Sequence, residues 1–68
     1  MMAPAEQPVV TFWEIDGTTC TLWIVGRLFE VRLLKAGRTL RSERYLDSDL
    51  AFVAAARWRR ETDGNAER

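Results

Sequence analysis

Three turn signals, Asp16-Gly17, Gly26-Arg27 and Ala36-Gly37, recur at intervals of about ten residues and divide the middle of the chain into runs too short for anything but strands. Asp-Gly suits a type I′ hairpin, whose two central residues both take positive φ, and glycine in the first turn position suits type II′. The runs between the turns confirm the period. VVTFWEI is rich in β-branched and aromatic residues, and in LFEVRLLK Phe29, Val31 and Leu33 alternate with Glu30 and Arg32.

With a two-residue turn at each of the first two sites, Ile15 opposes Thr18, Trp13 opposes Cys20, Thr11 opposes Leu22 and Val9 opposes Ile24. The next hairpin sets Ile24 against Phe29, Leu22 against Val31 and Cys20 against Leu33, so three strands agree on one apolar face. A slip of one residue would turn a whole apolar set outward, which is why this agreement specifies the register. At Ala36-Gly37 alanine resists positive φ, and a longer loop or a glycine bulge remains open there. The simple register leaves Phe29 facing Arg44 and Tyr45 pointing outward. An irregularity between Ser42 and Tyr45 is expected to return Tyr45 or Leu46 to the core.

After the last strand the period changes. Asp47 or Ser48 can cap a helix, Asp49 favours the positive end of its dipole, and LAFVAAARWRRE contains neither glycine nor proline. A helix from about Asp49 to Glu61 would place Leu50, Ala51, Ala54, Ala55 and Trp58 on one arc. Arg57, Arg59 and Arg60 suit its negative end. The expected fold is α+β: an antiparallel four-stranded meander (ββββα) with one C-terminal helix packed on one face. Residues 9–61 form the domain, residues 1–8 an arm and residues 62–68 a tail.

One helix covers one side of a sheet. In this register the other side shows Val10, Phe12, Trp23, Val25 and Leu34, together with a chequered set of charges at Glu30, Arg32, Arg41 and Glu43. Contiguous exposed apolar side chains usually mark an interface. A chain of 68 residues also buries only about 60% of its unfolded surface, so a second copy would deepen a small core. The first expectation is a non-enzymatic interaction module that forms a homodimer through the open sheet face. The alternative is a nucleic-acid-binding module using the hairpin 27–44, where Arg27, Arg32, Lys35, Arg38 and Arg41 would follow phosphates beside the aromatics. Six basic residues stand against Glu30 and Glu43 in that hairpin. The whole chain is neutral, with a pI near 6.2, unlike a dedicated nucleic-acid binder.

Composition narrows the chemistry. There is no histidine, which removes Ser-His and Cys-His dyads and the common zinc sites, and the glycines form no phosphate loop. No catalytic or metal-binding set stands out, and no cofactor is expected. Cys20 stands alone within TTCTLWIV and reads as a small buried hydrophobe. MMAPAEQPVV lacks the features of a secretory signal, and no apolar run approaches membrane-spanning length, which fits a soluble protein of the cytoplasm.

The segment GRLFEVRLLKAGRTLRSERYLDSDLAFVAAARW is similar in layout to small bacterial proteins of unknown function that combine a β-meander with an alanine-rich helix ending in tryptophan. The layout also resembles the Apetala-type plant DNA-binding domain and the arm-binding domain of tyrosine integrases, in which a three-stranded sheet enters the major groove. That resemblance implies DNA contacts at Arg32, Arg38 and Arg41. The order of four strands and a helix is similar to that of single-stranded-DNA-binding transcriptional coactivators.

Overall fold

A computed structural model describes residues 8–66. Strands β1 (Val10–Ile15), β2 (Thr18–Val25), β3 (Leu28–Lys35) and β4 (Arg38–Tyr45) form one antiparallel sheet in the order β1-β2-β3-β4, and helix α1 (Ser48–Ala66) follows. The architecture is the expected α+β meander with its helix on one face. Residues 1–7 of the arm expected at 1–8, and the last two residues of the expected tail, lie outside the described residues.

The turns behave as their chemistry requires. Asp16 and Gly17 both have positive φ, at 50° and 79°, and at the next turn Gly26 supplies the single positive φ of 63°. The third connection is also a two-residue turn, with Ala36 forced to φ 53° beside Gly37 at 77°. An L-residue with a Cβ is penalised there by about 1–2 kcal/mol. Ala36→Asn, which tolerates this conformation, is expected to raise stability by about 1 kcal/mol and the melting temperature by about 4–8 °C. A thermal melt that is unchanged or lower would contradict the assigned strain.

The register between β2 and β3 is the expected one, from Thr18 opposite Lys35 to Val25 opposite Leu28. Each outer strand departs from expectation by one inserted residue. On β1, Trp13 opposes Cys20 as expected, but Thr11 opposes Thr21 and Val10 opposes Leu22, leaving Phe12 as a bulge. On β4, Leu34 opposes Thr39 and Leu33 opposes Arg41, so Leu40 is the extra residue. An irregularity does bring Tyr45 onto the core face, opposite Phe29, but it sits at Leu40 and not between Ser42 and Tyr45.

Asp47 caps the helix: its Oδ1 accepts the Asp49 amide at 3.0 Å. The buried stripe is Ala51, Ala54, Ala55 and Trp58, whereas Leu50, expected on that arc, is 53% exposed. The helix continues past Glu61 to Ala66, where a tail had been expected from Thr62. Thr62 still packs at the sheet end of the helix, and one glycine at Gly64 weakens a helix by about 1 kcal/mol without stopping it.

Against that stripe lie Trp13, Cys20, Leu22 and Val31, with Phe12, Ile15, Phe29, Leu33 and Tyr45 around them. The three alanines let the helix axis come close to the sheet. Trp13 uses this proximity, its indole N–H donating to the Ala55 carbonyl at 2.9 Å. Burial pushes the Cys20 thiol up to about 11, so it has no thiolate to offer as a nucleophile at neutral pH.

Candidate interaction surfaces

Each bulge reverses which way the residues beyond it point, and this redistributes the expected site residues. Val10 and Phe12, expected on the open face, both lie on the helix side. Val10 shares a row with Leu22, and Phe12 meets Phe52 of α1 edge to face, ring centroids 5.0 Å apart. Arg41 and Glu43 likewise leave the open face, because the extra residue at Leu40 places them opposite Leu33 and Val31. Arg41 now spans the two layers. Its guanidinium lies 4.3 Å from the Trp58 ring centroid and pairs with Glu43 at 2.9 Å and Glu61 at 3.4 Å.

Trp23, Val25 and Leu34 keep the open face, all three half-buried. At its centre is a polar cluster that sequence reasoning missed in this form. Glu30 is only 5% exposed although none of the described elements lies over it. One of its carboxylate oxygens accepts from Arg44 at 2.7 Å and the other pairs with Arg32. Arg32 in turn lies 4.1 Å over the Trp23 ring, and the Trp23 indole donates to Thr21 Oγ1 at 2.8 Å. The opposition of Glu30 and Arg44 was hidden because it depends on the bulge at Leu40.

The two arginines, Arg44 first and then Arg32, hold the Glu30 carboxyl below the ordinary carboxylate range. A depressed folded-state pKa stabilises the fold above the unfolded value, and that stability is lost as pH falls through the folded value. The melting temperature of the wild type is therefore expected to drop more than that of Glu30→Gln as pH is lowered beneath the ordinary carboxylate range. Parallel pH profiles for the two proteins would contradict the pairing. On the helix side the opposite shift occurs at Tyr45, whose phenol is raised by burial and by donating to Glu43.

The five positions expected to follow phosphates do not form one track. Arg32 lies on the open face under the restraint of Glu30 and Trp23, while Arg41 lies on the helix side. Arg27 sits in the β2–β3 turn at one end of the sheet, and Lys35 and Arg38 flank the β3–β4 turn at the other.

Apolar exposure collects elsewhere. Of the eight large apolar side chains that stand exposed among the described residues, seven lie toward the end of the molecule where α1 begins: Val9, Val10, Ile24, Leu46, Leu50, Phe52 and Val53, between 42% and 81% exposed. The register brings them together. Ile24, Phe29 and Tyr45 form the last row of the sheet before the chain turns into α1, and Val10 lies diagonally beside Ile24. Leu50 and Val53 are neighbours on the helix surface, and Phe52 leans toward β1.

No protein-family profile, curated protein or solved structure matches this chain. No helix is long and apolar enough to cross a membrane, and the described residues contain no group of three or more acidic or cysteine side chains placed to hold a metal ion.

Proposed function

We propose that the protein is a non-catalytic interaction module that self-associates through the apolar end formed by the start of β1, the end of β2 and the first half of α1. The observation that carries this reading is the concentration of exposed Val10, Ile24, Leu46, Leu50, Phe52 and Val53 there. An apolar patch of this kind marks an interface, and a two-fold axis through it would pair like with like. The open sheet face supports the role less well. Its aromatic ring already carries Arg32, and its central carboxylate, Glu30, is already paired with Arg32 and Arg44.

Sedimentation equilibrium tests the proposal. The wild type is expected to be a dimer at micromolar concentration. Leu50→Asp, which adds an acid in the first turn of the helix where the dipole tolerates it, is expected to weaken the dimer by at least about 30-fold. Val25→Thr and Leu34→Thr on the open face are expected to leave it intact. A wild-type monomer would overturn the reading, and dissociation by the open-face substitutions alone would move the interface to that face.

A further inference from the structure

The opposite end of the molecule holds a cleft that self-association does not use. It lies where the C-terminal half of α1 passes the β1–β2 and β3–β4 turns, has a volume of about 370 Å³, and is lined by Ile15, Asp16, Thr18, Leu33, Lys35, Leu40 and Thr62. That volume falls at the lower end of the range of small-molecule sites. Two observations set it apart from a surface dimple. Leu40, the extra residue of the β4 bulge, lines the cleft and remains 56% exposed there. Bulges are over-represented next to functional sites. The lining is also amphipathic in an ordered way: Ile15, Leu33 and Leu40 supply apolar surface, Thr18 and Thr62 supply hydroxyls, and the two charges have opposite sign.

Asp16 and Lys35 make no ion pair with each other or with any other described residue, so both charges are available to a ligand. From this complementarity we infer that the cleft binds a small amphipathic zwitterion, an α-amino acid with an apolar side chain. Its ammonium group would lie toward Asp16, its carboxylate toward Lys35 and its aliphatic group against Ile15, Leu33 and Leu40. A plain fatty acid would leave Asp16 without a counter-ion, and a plain amine would do the same at Lys35. Only a ligand bearing both groups answers both residues.

Amide NMR titration of the full chain tests the inference with three probes of the same aliphatic group: L-leucine, isocaproate, which lacks the ammonium, and isoamylamine, which lacks the carboxylate. Leucine is expected to bind with millimolar affinity, shifting the resonances of Thr18, Leu33, Leu40 and Thr62. Each single-charge analogue is expected to bind about two- to fivefold more weakly, the range for exposed ion pairs. Lys35→Gln should reduce the preference for leucine over isoamylamine, and Asp16→Asn, which keeps the left-handed turn, should reduce its preference over isocaproate. Absence of shifts with leucine, equal binding of all three probes, or preferences untouched by both substitutions would overturn it.

Discussion

Replacing Trp58 with alanine is expected to remove most of the protein's stability. The side chain is 1% exposed, with Ala51, Ala54 and Ala55 beside it on the helix and Arg41 stacked over its ring. Truncating a buried tryptophan costs about 3–5 kcal/mol, and domains carry about 0.05–0.15 kcal/mol per residue, so a chain this small has little beyond that to lose. Around a stripe otherwise made of alanine, no larger neighbour on the helix can close the cavity. The variant should lose its cooperative thermal transition, while Trp58→Phe should retain one at lower temperature. A Trp58→Ala transition within a few degrees of wild type would show that the core is centred elsewhere.

Trp13→Ala should have the second largest effect, and a more local one. Trp13 joins an outer strand to the helix through both ring burial and the bond to the Ala55 carbonyl. Losing both is expected to cost about 3–5 kcal/mol, whereas Trp13→Phe, which keeps most of the burial, should cost about 1–1.5 kcal/mol. Because β1 pairs only with β2, its amides should exchange with solvent much faster in Trp13→Ala than those of β3. Equal acceleration across all four strands would mean that β1 does not open on its own.

The fold was legible in the sequence to the extent that it depends on turn chemistry and on strands with several apolar anchors. Asp16-Gly17 and Gly26 fix two hairpins, and β2 and β3 each carry enough alternating residues for only one pairing to bury them all. The outer strands were harder to read for opposite reasons. In VTFWEI apolar residues fall on both alternations, so an extra Phe12 leaves no mark in the pattern. In RTLRSERY the only large apolar side chains are Leu40 and Tyr45, whose odd spacing signals that a bulge is present but not where. The surfaces inherit that gap. An aromatic patch expected from Phe12 and Trp23 dissolves because one bulge separates them, and the Glu30–Arg44 pair emerges because the other bulge brings them opposite. The length of the helix was hidden for a different reason, since ETDGNA carries no apolar stripe and only its packing shows where Thr62 belongs.

The bulges at Phe12 and Leu40 have a consequence for comparing this chain with others. They make each outer strand two half-strands of opposite parity, so a chain with the same backbone but without them would carry its polar and apolar letters one place out of step along β1 and β4. Alignment by residue type across those strands would then match core positions to surface ones, while β2 and β3 stayed in frame. Relatives of this fold are better sought by the central hairpin and the Ala51, Ala54, Ala55, Trp58 spacing than by the strands at the rims.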